Sequence, residues 1–215
     1  KYTNNSEFNH GQIDKIGVLL TNLGTPDEPT ASALRAYLRE FLSDPRVVEI
    51  PRLIWWCVLN GVILPIRSAR SAKSYEGVWT DEGSPLLVNM EKINAAVVEK
   101  MSDNHDVIVD FAMRYGSPSI PEKIDNLIAR GATKILVLPL YPQYSATTTA
   151  STFDAVSNHF QQLRLIPEVR FVNSYTDNAK WLDAMADKIE SHWETFGQPD
   201  KFIFSYHGIP QRYWN

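Results

Sequence analysis

Residues 16–26 read IGVLLTNLGTP, an apolar run from Ile16 to Asn22 followed by Leu23, Gly24 and, two positions on, Pro26. A run with so little polar alternation suits a strand buried on both faces of a parallel sheet. Comparable runs recur at Val107–Met113, Lys134–Leu140, Val169–Ser174 and Phe202–Tyr206. Segments of helical period lie between them. Leu86, Met90, Ile93, Val97 and Met101 step by three or four after Ser84, a suitable N-cap, and Pro85 at the first helical position. Trp181, Met185 and Ile189 form a second stripe. Strands alternating with helices predict a right-handed α/β fold with a parallel sheet, interrupted after its first strand by a long helical insertion from Pro29 to Met101.

Outward from that opening run, the chain divides into a polar extension over 1–12, a first domain over 13–150 that carries the insertion, and the beginning of a second domain over 151–215. The boundary is expected after YPQYSATTTAS, where a new strand–helix–strand series begins near Val169. The size of 215 residues and a hydrophobic content of 44% are enough for one full core and part of another.

Twenty-one basic against 25 acidic residues give a net charge of −4, with no lysine or arginine block, which argues against nucleic acid as a partner. Cys57 is the single cysteine, so no intrachain disulfide forms, and the polar start lacks a secretory pattern; the expected location is the cytoplasm. The longest apolar stretch, Leu53–Ile66, spans 14 residues broken by Asn60, Gly61 and Pro65, short of a membrane span. It reads as a buried helix or as an exposed apolar lip.

Three of the expected strands end in the pattern residue–Gly–x–Pro: Leu23–Gly24, Tyr115–Gly116 and His207–Gly208. Glycine permits a positive φ and proline stiffens the exit, so such a turn can hold the preceding side chain at the carboxyl edge of the sheet, where open α/β sheets bind ligands. Ordinary strand-to-helix connections use the same residues. His207 is the sharpest candidate, since imidazole titrates near neutral pH and coordinates borderline metals, although a lone histidine also serves structural ends. His10, His105, His159 and His192 are expected on the surface. Ser145, Thr147, Thr148 and Thr149 follow a strand and precede a helix, an arrangement that either receives an anion or caps the helix. Arg114 and Tyr115 add a cation and an aromatic face to that edge, and the combination suits a large flat anionic ligand. No Walker loop, dinucleotide fingerprint, C-x-x-C pair, H-x-x-x-H pair or G-x-S-x-G elbow is present.

Six blocks in order, GVLLTNLGTPDEP, FLSDPRVVEIP, SYEGVWTDEGSPL, MRYGSPSI, LPLYPQYSATTTAS and FSYHGIP, resemble those of the ferrochelatases, and IRSARSAKSYEGVWTDEGSPL is similar to the Gram-negative protoporphyrin type. The resemblance implies two Rossmann-like, chelatase-type domains with the porphyrin between them, the second incomplete in this chain. It implies a lyase that inserts ferrous iron into protoporphyrin IX in the last step of haem synthesis. His207 corresponds to the active-site histidine, as proton acceptor or as iron ligand. The implied porphyrin contacts are Leu23, Trp55, Trp56, Arg114, Tyr115, Tyr144, Ser145, Thr147 and Thr148. Leu23 stands where some relatives carry a metal-facing side chain, and it cannot ligate. Leu53–Ile66 corresponds to the apolar lip that grips the macrocycle.

The acidic partner of the histidine and the rest of the second domain belong to a later segment, so this chain alone is expected to be inactive. Ferrous iron is substrate, no cofactor is expected in this segment, and Cys57 alone leaves any iron–sulfur cluster to cysteines outside it. Peripheral contact with the inner membrane and self-association are further expectations. The competing readings are a chelatase for another metal and a non-catalytic tetrapyrrole carrier.

Overall fold

The computed structural model describes residues 2, 3, 11 and 14–213. Most of the extension expected over 1–12, with His10, lies outside them. Four parallel strands form one sheet in the order β2-β1-β3-β4: β1 (Lys15–Thr25), β2 (Val107–Gly116), β3 (Ala132–Pro139) and β4 (Glu168–Phe171). β1 is central because its run is apolar on both sides. Leu19 faces one core with Ala112, Ile135 and Val137, against Ile120, Ile124 and Leu127 of α5 (Ile120–Ala129) and Val156 and Phe160 of α6 (Ser151–Phe160). Leu20 faces the other with Val109, Phe111 and Met113, against Leu87, Met90 and Val97 of α4 (Pro85–Lys100).

The insertion between β1 and β2 is helical as expected: α1 (Ala31–Ser43), α2 (Arg52–Val58), a π-helical turn at Leu59–Ile63, α3 (Leu64–Glu76) and α4. Thr30 caps α1 by accepting from Ala33 N. Ser84 does sit at the N-cap of α4 before Pro85, but its hydroxyl instead pairs with Thr25 Oγ1 at 2.8 Å, tying the helix to the end of β1. The buried stripe of α4 is shifted by one residue at its start, to Leu87 from Leu86, and Ile93 and Met101 are exposed.

Several expectations change. β4, expected to open a second series, hydrogen-bonds to β3 as the fourth strand of this sheet, with Lys134 opposite Glu168 and Val137 opposite Phe171. Sequence pattern identifies a strand but not which sheet it joins. Phe202–Tyr206, expected as a strand, makes no ladder and is exposed throughout. His159 is buried, its Nε2 lying 2.8 Å from Asp125 Oδ1 across the α5–α6 contact. α7 (Ala179–Phe196), capped by Asn178 at Trp181 N, carries the expected Trp181–Met185–Ile189 stripe yet buries no residue. No helix of the described residues is long and apolar enough to cross a membrane.

Candidate functional site

The carboxyl ends of β1 and β2 lie side by side. Gly24 has φ +105° and Gly116 φ +81°, and a Cβ on Gly24 would come within 1.8 Å of the Tyr115 carbonyl oxygen. A Cβ on Gly116 would lie 2.7 Å from the Thr25 carbonyl oxygen. Both glycines therefore answer a positive φ and a backbone-to-backbone approach at once. Gly208, third in the pattern, has open space around it and no such conformation, so its turn is not a strand-end turn in this structure.

Under these turns sits a polar cluster around Asp44, just beyond α1. Asp44 Oδ2 accepts from Arg114 Nη2 at 2.5 Å, Ser151 Oγ at 2.6 Å and Tyr115 Oη at 2.8 Å, while Oδ1 accepts from Arg46 N at 2.7 Å. Burial acts to raise the Asp44 pKa, but the hydrogen bonds from Ser151, Arg46 N and Tyr115 and the charge of Arg114 outweigh it and hold the carboxyl below its ordinary value. Arg114 Nε also donates to Ser151 O and Oγ, and its guanidinium lies 4.4 Å from the Tyr115 ring centroid.

This placement corrects the expectation for two residues. Tyr115 is fully buried and offers no aromatic face to a ligand; burial pushes its hydroxyl pKa up, leaving it a donor. The charge of Arg114 is committed to Asp44 rather than free for an anionic ligand. Asp44 was not singled out among the expected site residues; its signal was an acid between a helix end and Pro45, with an Arg–Tyr pair elsewhere needing a counter-charge.

The loop after β3 carries the hydroxyl group. Ser145 Oγ accepts from Thr147 N and shares a 3.0 Å contact with Thr147 Oγ1, and Thr148 Oγ1 donates to Ser145 O. These hydroxyls cap their own π-helical turn, Ala146–Ala150, which leads into α6. Thr149 is buried, and Tyr144 projects into solvent. Leu23 is half-buried, with its N–H donating to Asn22 Oδ1.

Leu53–Ile66 divides between core and surface. Leu59 and Leu64 are buried against the insertion, whereas Leu53 is 78%, Trp56 64% and Ile66 65% exposed, so an apolar lip is present and a wholly buried helix is not. Its root is fastened to the end of α1: Trp55 Nε1 donates to Leu42 O at 2.6 Å, and Arg52 donates to Ser43 O and Val48 O. Basic residues Arg52, Arg67, Arg70 and Lys73 accompany the lip, and no acid lies between Glu49 and Glu76.

His207 lies in an exposed segment, its Nδ1 donating to Gly208 O at 2.6 Å. Among the described residues no three His, Cys, Asp or Glu side chains group to hold a metal. Beyond His207, a 3-10 turn at Gln211–Tyr213 returns to the loop after α1: Arg212 Nε pairs with Glu49 Oε2 at 2.9 Å and Tyr213 Oη donates to Arg46 O at 3.1 Å. The structure thus brings the segment after His207 to the loop that joins the Asp44 cluster to the lip.

A family model for ferrochelatase matches residues 15–215. The chain is 54% identical over 215 residues to the ferrochelatase of Idiomarina loihiensis, covering 99% of this chain and 59% of that protein. It is 54% identical over 215 residues to that of Pseudoalteromonas atlantica, at 99% and 60% coverage, and 53% identical over 206 residues to that of Herminiimonas arsenicoxydans, at 95% and 56%. The chain therefore spans a little under two thirds of the length of these curated relatives.

Proposed function

The chain belongs to the ferrochelatase family, and from that premise we propose that the whole protein inserts ferrous iron into protoporphyrin IX as the last step of haem synthesis. The observation that carries this reading is the 54% identity sustained over 215 residues, a span that takes in the lip, the carboxyl edge and the His207 block. The reaction exchanges two pyrrole N–H protons for one Fe(II), giving the iron porphyrin and two protons. A flat macrocycle keeps its nitrogen lone pairs in the ring plane, so binding that bends the ring opens them to the metal. In this reading Trp56 and Leu53 of the lip, with Leu23 and Tyr144 near the edge, hold the macrocycle. Ser145, Thr147 and Thr148 shape the neighbouring loop, and Trp55 fixes the lip.

His207 presents an imidazole that can accept a pyrrole proton or pass on the iron. Arg114 and Tyr115 act one step back, keeping the edge in shape through Asp44. The second Rossmann-like unit begins after β4, at α7, instead of at residue 151. Iron is substrate, and any iron–sulfur cluster draws its cysteines from elsewhere than this chain, whose Cys57 stands alone. The exposed apolar lip and its cations support peripheral contact between a cytoplasmic protein and the inner membrane. The apolar stripe of α7, a helix with no buried residue among those described, supports further association.

The test is His207→Ala in the full-length protein, assayed for iron insertion and for porphyrin binding by fluorescence quenching. Loss of most insertion with binding retained is expected. Substantial turnover at saturating iron overturns the role of His207, and failure to bind protoporphyrin in the unsubstituted protein overturns the substrate.

A further inference from the structure

We propose that the turn Asp44–Glu49 is the seat of the His207 segment, and that Glu49, with Asp44 behind it, is a positioning residue for that histidine. The proposal rests on the reading of His207 as the reacting imidazole.

The turn is held from several directions. Asp44 Oδ1 accepts from Arg46 N, and Val47 N and Val48 N both donate to Asp44 O at 3.0 Å. The Arg46 side chain makes a bidentate pair with Asp154, 2.7 Å and 3.1 Å, anchoring the turn to α6. The carboxylate of Asp44 is itself locked by Arg114, Tyr115 and Ser151 from the end of β2 and the start of α6. What this turn offers outward is therefore fixed in place: the Arg46 carbonyl and the Glu49 carboxylate.

From Lys201 to Gln211 every residue is exposed, and the segment is held on its near side by a row of ring contacts from Trp193 to Tyr206 and on its far side by what grips the chain after His207. Tyr213 supplies that grip through its hydroxyl on Arg46 O, and Arg212 through Glu49. The Arg212 guanidinium lies 5.1 Å from the Tyr213 ring centroid, and Tyr213 N closes the 3-10 turn on Pro210 O, so the two gripping side chains are presented as a unit. Six residue steps separate His207 from Tyr213, and an extended chain advances at most about 3.6 Å per step, which confines the His207 Cα to within about 22 Å of the Tyr213 Cα. The seat thus limits how far the imidazole can range from the loop between the Asp44 cluster and the lip, and leaves its final pose to contacts with substrate.

The experiment uses the full-length protein and three variants: Glu49→Arg, Arg212→Glu, and both together. Amide hydrogen exchange over residues 207–213 reads the seating directly, and kcat with KM for protoporphyrin reads its consequence. Each single variant is expected to speed exchange and lower kcat by about 2- to 5-fold, the scale of an exposed ion pair, with KM little changed. The double variant restores both, which a general loss of structure would not do. Exchange that responds to neither single variant, or that the double variant fails to restore, overturns the seat whatever turnover does. Exchange that responds and is restored while turnover stays constant supports the seat and overturns the positioning role of Glu49, whereas loss of the His207 reading itself shows as turnover retained in His207→Ala.

Discussion

The Tyr115 hydroxyl donates to Asp44 Oδ2 over 2.8 Å, joining the last turn of a strand to the residue that ends a helix 71 positions earlier. Both groups are nearly inaccessible to water, and the same carboxylate oxygen also receives Arg114 and Ser151. A buried charge so completely paired is costly to leave half-paired.

Asp44→Ala leaves the Arg114 guanidinium and two hydroxyls without their acceptor and is expected to cost about 3–5 kcal/mol. Asp44→Asn tests the charge alone. In the folded chain the Asp44 carboxyl sits below its ordinary value of roughly 3.9, so the unfolded chain binds more protons. The stability it contributes is present in full above the unfolded pKa and is lost as pH falls through the folded one, below about pH 4. Urea midpoints measured from pH 7 down to pH 2 should fall less steeply at the acid end for Asp44→Asn than for the unsubstituted protein. Equal acid slopes would remove Asp44 from the account.

Gly24→Ala should be among the most damaging single changes, at or beyond about 4 kcal/mol, because the new Cβ meets the Tyr115 carbonyl at 1.8 Å in a backbone with φ +105°. Gly61→Ala is the contrast. It lies in a helical turn with open space around it and should be neutral or stabilising by up to about 1 kcal/mol. Thermal unfolding of both variants checks the pair.

Trp55 and Trp56 are adjacent and should separate cleanly. Trp55→Phe removes the hydrogen bond to Leu42 O and should lower stability by about 1 kcal/mol. Trp56→Ala removes a largely exposed ring and should change stability by less than about 0.5 kcal/mol while weakening protoporphyrin binding. Fluorescence quenching titrations alongside thermal melts report both quantities. If Trp56→Ala leaves porphyrin affinity intact, the lip's grip lies elsewhere.

Thr21 is fully buried on β1, and among the described residues its Oγ1 has no hydrogen-bond partner. Valine keeps the shape and removes a polar group that gains nothing from its surroundings, so Thr21→Val should raise stability by about 1 kcal/mol. A lower urea midpoint for this variant would reveal a partner for the hydroxyl.

The strands of the sheet were legible in the sequence because burial on both faces leaves a continuous apolar run, as at Leu19 and Leu20, which face opposite cores. Phe202–Tyr206 carries the same run and forms no strand here, since apolar residues supply the packing faces of a strand but its hydrogen bonds must come from a neighbour. Aromatic contacts link it instead into a row, Trp193 to Phe202 to Phe204 to Tyr206. The glycines at 24 and 116 were readable from turn chemistry alone. The role of Arg114 was not, because its partner lies 70 positions away in a loop with no periodicity, and nothing local to a strand end tells whether a cation is free. The lip was visible as composition, but its division into buried Leu59 and Leu64 and exposed Leu53, Trp56 and Ile66 required the helix axis to be placed against α1.

The order β2-β1-β3-β4 also shapes how the chain is made. Ile16 pairs with Val107, about ninety residues downstream, and with Lys134 further still. Closing a loop of that length costs roughly 4 kcal/mol of chain entropy if the insertion is disordered, and less once α1 to α4 have folded and drawn its ends together. Translation at about 5–20 residues per second leaves the apolar β1 outside the ribosome for roughly 5–20 s before its first partner is synthesised. During that interval β1 is the segment most in need of a holding chaperone, and synonymous codon changes that slow translation through the insertion lengthen its exposure.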